Sequence, residues 1–207
     1  PAGIALSGNG DRLFVTQFFD GELTVIDRKA LTVTGTMVTG AGANLSQSVF
    51  LSRNGKRAYL PQTRSNVSNP SLLFDATVFP IVNVLDTEGM TLLVRERITL
   101  DTADEPVNMP FATVLSHDDK MLYVANAGSN DVSVIDLSSN RGIAHISVGA
   151  NPRGIAITPN GLRVFVNNVL DGTLSVLDTT TLTTVGIVDL TEIPMAPILL
   201  SGKRLFN

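Results

Sequence analysis

The chain of 207 residues contains no cysteine and no tryptophan. Without cysteine there is no disulfide, no thiolate metal site, no Cys nucleophile and no attachment point for a c-type haem within these residues. The absence does not fix a redox compartment, because it suits oxidising and reducing spaces equally. Charged residues make up only 16% of the chain, against roughly 25% in an average soluble domain. The net charge of −4 argues against nucleic-acid binding, which needs a basic face. No apolar run approaches the ~18 residues of a membrane helix. Also missing are a phosphate-cradling glycine loop, a His-rich metal spacing and paired carboxylates in a recognisable frame. The residues therefore carry no catalytic constellation, and whether the intact protein is an enzyme stays open at this point.

What the sequence does contain is β-forming. Val (22) and Thr (21) together supply about a fifth of the chain, punctuated by 17 Gly and 10 Pro. Both favour a pleated, half-buried surface over a helix, so the composition predicts an all-β chain of many short strands.

Self-similarity sharpens this expectation. Pro110-Phe111-Ala112-Thr113-Val114-Leu115-Ser116 aligns with Pro152-Arg153-Gly154-Ile155-Ala156-Ile157-Thr158 at an offset of 42. At the same offset Ser133-Val134-Ile135-Asp136 meets Ser175-Val176-Leu177-Asp178. Pro1-Ala2-Gly3-Ile4 joins the same pattern at an offset of 151, which brings Asp27 onto Asp178. Ser52-Arg53-Asn54-Gly55-Lys56-Arg57-Ala58-Tyr59 repeats Ser7-Gly8-Asn9-Gly10-Asp11-Arg12-Leu13-Phe14 at 45, whereas Val82–Asp86 repeats Leu23–Asp27 at 59. The difference between those offsets is a 14-residue insertion within Gln62–Val78. Four copies follow, near 1–44, 45–109, 110–151 and 152–190. Each reads as four strands; in the third these are Phe111–Leu115, Met121–Ala125, Val132–Asp136 and Ile143–Val148. Four short strands per ~40–50 residues define a β-propeller blade. Because the chain opens inside the pattern, it reads as joined in mid-repeat.

Met121-Leu122-Tyr123-Val124-Ala125-Asn126, the downstream Ser133-Val134-Ile135-Asp136 and the following Val148-Gly149-Ala150-Asn151-Pro152-Arg153-Gly154-Ile155 resemble the YVTN-type β-propeller repeat. That family occurs in surface-layer proteins and in relatives of haem-d nitrite-reductase propellers and of lactonases. The resemblance implies a periplasmic or extracellular protein. It also implies a ring of seven blades, of which four are visible; a closed four-blade ring is the alternative.

In a four-stranded meander the second-to-third loop and the connection to the next blade share one face. That face receives the insertion in Gln62–Val78 and the lengthened connection Leu100–Met109, and long loops on a rigid scaffold are where recognition is placed. Candidates on it are Gln17, Gln62, Asn126 and Asn168, one amide closing each second strand, together with Arg64 on the insertion and Arg153 on a first strand. An amide donates and accepts, so each ties down the loop it opens; a ring of ligand amides is the sharper alternative. Asp101, Asp104 and Glu105, with Asp75 nearby, form an acidic group whose oxygens would suit Ca²⁺, although the spacing matches no loop motif and a solvated rim is the simpler reading. Asp27, Asp86, Asp136 and Asp178 end the third strands, where each is expected to accept bonds from the following turn. His117, in a turn, and His145, in an outermost strand, lie beside no repeated nucleophile or acid.

Residues 191–207 read as a connector, broken by Pro194 and Pro197. The ending Ser201-Gly202-Lys203-Arg204-Leu205-Phe206-Asn207 resembles the start of di-haem cytochrome c peroxidase-like domains, which implies haem c in the intact protein. The main expectation is a non-catalytic propeller module docking a protein partner or a cell-surface layer. The alternatives are the propeller portion of a multidomain c-type cytochrome or peroxidase-like electron-transfer protein, and a lactonase-like tunnel enzyme. An open arc of blades would also leave edges at Pro1–Leu6 and Val185–Leu190 that invite self-association.

Overall fold

Alternating apolar residues and short polar turns place nearly every strand in an antiparallel meander. The computed structural model describes residues 1–65, 77–192 and 195–205. These divide into two compact units, Pro1–Leu100 and Asp101–Asn207.

In the first unit, β1 (Ile4–Leu6), β2 (Arg12–Thr16), β3 (Glu22–Asp27) and β4 (Thr32–Val38) form one sheet in sequence order. The second sheet is more irregular. Its inner strand is split into β5 (Ala43–Asn44) and β6 (Phe50–Leu51), both paired to β7 (Arg57–Ser65). Its outer strand is split into β9 (Thr91–Leu92) and β10 (Ile98–Thr99), both paired to β8 (Val78–Asp86), with a 3₁₀ turn at Val94–Glu96 between them. Two expectations change here. The second blade begins before residue 45, since Ala43 pairs with Arg64. The ends of the insertion are strand and not loop: Thr63, Arg64 and Ser65 pair with Pro80, Phe79 and Val78. Once the hairpin is lengthened, continued pairing satisfies backbone groups that a loop would leave to solvent.

In the second unit, β11 (Pro110–Leu115), β12 (Met121–Asn126), β13 (Asp131–Asp136) and β14 (Arg141–Ser147) form the third sheet. The fourth consists of β15 (Pro152–Ile157), β16 (Arg163–Asn168), β17 (Thr173–Asp178) and β18 (Thr183–Asp189). A β-bulge recurs at one register position, between Val25 and Ile26, Val134 and Ile135, and Val176 and Leu177.

Every first-to-second turn is fastened by a hydroxyl. Ser7, Ser52, Ser116 and Thr158 each accept, through the side-chain oxygen, the backbone N–H of the residue five positions on, at 2.9–3.0 Å. The Asp residues that end the third strands act as expected in the turns that follow. Asp27 Oδ1 accepts from the Lys29 and Ala30 N–H groups, and Asp178 Oδ1 from those of Thr180 and Thr181.

The core of the first unit lies between its sheets. Phe14, Leu23, Val25 and Met37 from one face of the first sheet meet Val49, Ala58, Leu60 and Leu85 from the second. In the second unit β11 and β12 pack on β15. The tail expected as a connector contains a helix, α1 (Pro197–Leu205), which buries no residue. Pro197 is its first residue, where a proline's missing N–H costs no helical hydrogen bond. Arg204 Nη2 ties the helix to Asp171 Oδ1 at 2.6 Å. Phe206 and Asn207 of the peroxidase-like ending lie outside the described residues.

Candidate functional site

The four amides expected at the ends of the second strands share one partner position, the polar residue on the third strand two places beyond the one each amide faces in the ladder. Gln17 Nε2 donates to Thr24 Oγ1 at 2.9 Å, Asn126 Nδ2 to Ser133 Oγ at 2.8 Å, and Asn168 Nδ2 to Ser175 Oγ at 2.9 Å. In the second blade the bond is reversed, and Asn83 Nδ2 donates to Gln62 Oε1 at 2.7 Å. Gln62, Asn126 and Asn168 are fully buried, so their side chains belong to the sheet interior.

In the first unit this pairing grows into a relay. Gln62 Nε2 faces Ser46 Oγ at 2.5 Å, Thr39 Oγ1 at 3.0 Å and Gly21 O at 3.3 Å. Asn83 Nδ2 also reaches Thr39 O, and Asn83 Oδ1 accepts from Arg97 Nε at 2.7 Å. The buried amides thus aim a guanidinium. Partial burial holds the Arg97 pKa below its ordinary value, with the charge of Arg64 a smaller contribution in the same direction. Arg64 is exposed, near the end of β7. Asn83, Thr39, Ser46 and Arg97 were not singled out from the sequence. The available signal was a polar residue seven positions after each amide, displaced by 14 in the second blade. Asp75 and residues 66–76 of the insertion lie outside the described residues.

The second unit has two separate arrangements. Asn126 Nδ2 also donates to Asp131 Oδ1 at 2.6 Å. Burial raises the Asp131 carboxyl above its usual range, opposed by hydrogen bonds from Asn126 and Ser129. Asn126 Oδ1 and Asn168 Oδ1 are buried without a hydrogen-bond partner among the described residues. Arg153 is anchored elsewhere: its Nε donates to Asn151 Oδ1 at 2.5 Å, and its guanidinium lies 5.1 Å from the centre of the Phe111 ring. Asn151 in turn donates to Ala127 O at 3.2 Å.

Of the acidic group, the described members Asp101, Asp104 and Glu105 are not gathered into a metal site. Asp104 Oδ1 lies 2.7 Å from His145 Nδ1, while Asp101 and Glu105 are exposed. No group of three His, Cys, Asp or Glu side chains with metal-site geometry occurs among the described residues. His117 Nε2 lies 2.8 Å from Thr158 O. One cavity of about 350 Å³ sits in the first unit between first-to-second turns, lined by Asn9, Arg12, Arg53, Asn54 and Glu88. Another, of about 280 Å³, lies against His145 and Thr183 in the second unit.

Blades of four antiparallel strands in sequence order define the class: this is a β-propeller protein. The model of the cytochrome D1 heme domain family matches residues 79–197, more than half of the chain, and the chain belongs to that family. Among solved structures it is similar to hydrazine synthase of Kuenenia stuttgartiensis, with a TM-score of 0.68 and 19% identity. That similarity covers 91% of this chain and 48% of the other, so the chain spans about half the length of that neighbour. No curated protein matches it.

The family name raises the question of whether these residues fit a haem. A haem iron takes an axial His, Cys, Met or Tyr facing an open pocket. Both histidines are engaged within the scaffold, His117 against Thr158 and His145 against Asp104. Tyr59 and Tyr123 are buried within strands. The larger cavity is lined by turn residues and offers no such ligand. Among the described residues, neither histidine, neither tyrosine and no residue of the larger cavity is placed to ligate a haem.

Proposed function

We propose that the chain is the β-propeller portion of a haem-dependent, cytochrome-type redox protein, and that it serves as a non-catalytic platform docking the part that carries the haem. The observation behind this reading is the family match over residues 79–197, on blades whose histidines are already committed to the scaffold. Within that family we place the chain with the YVTN-type repeats, on Met121–Asn126 and its downstream Ser133–Asp136. Periplasmic localisation goes with the same reading. Docking falls on the loop-bearing ends of the blades, where the Gln62–Asn83 relay holds Arg97 in a set orientation near Arg64. A guanidinium held this way is suited to carboxylate partners.

The test is a denaturing gel of the intact native protein, stained for covalent haem and calibrated for mass. A haem-positive band heavier than 22.0 kDa is expected. A haem-negative band at 22.0 kDa overturns the proposal.

A further inference from the structure

Three of the blades carry an arginine five places after the turn hydroxyl: Arg12 after Ser7, Arg57 after Ser52 and Arg163 after Thr158. Two of these guanidinium groups hold a carboxylate. Arg57 donates to Glu96 through two nitrogens, Nε to Oε2 at 3.0 Å and Nη2 to Oε1 at 3.2 Å. Arg163 Nη1 donates to Asp178 Oδ2, on the residue it faces in the ladder. Arg12 faces Asp27 in the same register, yet its guanidinium is engaged elsewhere. Nη1 donates to Thr87 O of the second blade at 2.8 Å, and the group lies 5.4 Å from the centre of the Phe14 ring. Among the described residues no carboxylate meets it.

Arg12 also lines a cavity. The space of about 350 Å³ between the first-to-second turns of the first two blades is bounded by Arg12, Asn9, Arg53, Asn54 and Glu88. Arg12 lies on the face of β2 that carries Phe14, and that face is already packed on the second blade. Both walls therefore belong to adjoining blades of one unit. Around Arg12 the wall is rich in donors. Asn54 Oδ1 accepts from Ser52 Oγ at 2.8 Å and from Lys56 N at 2.9 Å, which fixes the amide and leaves Nδ2 as its donor. Arg53 adds a second guanidinium on an exposed side chain. Glu88, the acid of the wall, is drawn toward Lys56 Nζ at 3.6 Å. A concave site with two guanidinium groups and an amide donor suits an oxyanion. The repeat narrows the class, because Arg57 and Arg163 each take a carboxylate from this strand position, and a guanidinium fork matches that group.

We propose that this cavity binds a small organic carboxylate, with the Arg12 guanidinium as its principal contact and Arg53 and Asn54 as supporting donors. In the first blade the ligand takes the part that Glu96 and Asp178 play, through their own side chains, in the second and fourth. Thr87 O and the Phe14 ring hold the guanidinium before the ligand arrives, which lowers the ordering cost of binding. The site opens at the turn-bearing end of the blades, away from the loop-bearing end, and is separate from the docking role above.

The test is isothermal titration calorimetry of succinate into the intact native protein and into Arg12→Lys, Arg53→Gln and Glu88→Gln, with inorganic phosphate as a second titrant. Saturable succinate binding is expected, and weaker binding of phosphate. Arg12→Lys keeps the charge and a donor for Thr87 O but loses the paired N–H groups, and is expected to weaken succinate about tenfold. Arg53→Gln is expected to weaken it less, and Glu88→Gln to strengthen it by removing the negative charge of the wall. Unchanged far-UV circular dichroism and melting temperature verify that each variant folds. Should Arg12→Lys melt early, Arg53→Gln decides, since it changes an exposed side chain. The proposal is overturned by the absence of saturable succinate binding, by phosphate binding as tightly as succinate, or by an affinity unchanged in a folded Arg12→Lys or Arg53→Gln. Weaker binding to Glu88→Gln overturns it as well.

Discussion

Asn83 donates through Nδ2 to Gln62 Oε1 at 2.7 Å, with both side chains fully withdrawn from solvent. Each amide also serves other groups: Gln62 faces Ser46 and Thr39, and Asn83 accepts from Arg97. A buried polar group that loses its partner costs about 1–3 kcal/mol. Gln62→Leu strands one Asn83 Nδ2 hydrogen and the Ser46 hydroxyl together and is expected to destabilise the chain by about 2–5 kcal/mol. Asn83→Leu added to it removes one stranded group, so the double variant loses less than the sum of the singles. A denaturant double-mutant cycle measures this, and strict additivity would sink the relay.

Gly21 sits between that relay and a close backbone approach. Its φ is +66°, and a Cβ placed there would stand 1.9 Å from Ala43 O. At the equivalent turn Asn130 adopts φ +61°, so the conformation alone admits an asparagine. Gly21→Asn is nonetheless expected to destabilise by more than the ~1–3 kcal/mol of a left-handed residue, because the Ala43 backbone must move. Thermal melts decide the point: a loss within that range would mean the Ala43 segment gives way easily.

The blades were legible in the sequence because every one repeats the same pattern of apolar strand, polar turn and terminal Asp. Asp27, Asp86, Asp136 and Asp178 stand where the offsets placed them, and strands such as Met121–Asn126 end within a residue of expectation. The second blade was less legible. Its broken outer strand depends on where a 3₁₀ turn at Val94–Glu96 resets the pairing, and periodicity carries no trace of that. The amide partners could have been read from the seven-residue spacing of Asn126 to Ser133 and Asn168 to Ser175. Arg97 could not, because its approach to Asn83 runs through that reset strand. Pro194 and Pro197 pointed to a connector, yet proline at a first helical position is compatible with the helix that follows.

Asp131 is a buried carboxylate whose pKa is raised by desolvation, against bonds from Asn126 and Ser129. Because the folded pKa lies above the unfolded one, the native state binds more protons between the two. Stability is therefore present at low pH and declines as pH rises from the unfolded value near 3.9 through the folded one. Asp131→Asn keeps an oxygen for Asn126 Nδ2 and removes the ionisation. It is expected to raise the melting temperature at pH 7 relative to the parent, with the gain shrinking toward acid pH. A variant less stable than the parent at pH 7 would mean that the ionised form is favoured after all.

The Asp residues closing the third strands titrate the other way. Backbone N–H groups of Ala30 and Lys29 lower the Asp27 pKa, those of Gly89 and Glu88 lower Asp86, and those of Thr181 and Thr180 lower Asp178. For Asp136 the Ser138 hydroxyl leads, followed by the Ser138 N–H. A folded pKa below the unfolded one means the contribution is present above about pH 4 and is lost as pH falls through the folded value. All four lie at solvent-facing turns, so each effect is small and the sum is what a measurement registers. The variant carrying Asn at all four positions keeps a side-chain oxygen for the turn N–H groups but cannot titrate. Its unfolding midpoint is expected to fall less steeply than the parent's between pH 5 and about pH 2. Parallel acid limbs for the two proteins would show that the strand-end carboxylates do not drive the acid transition, leaving that role to other carboxylates.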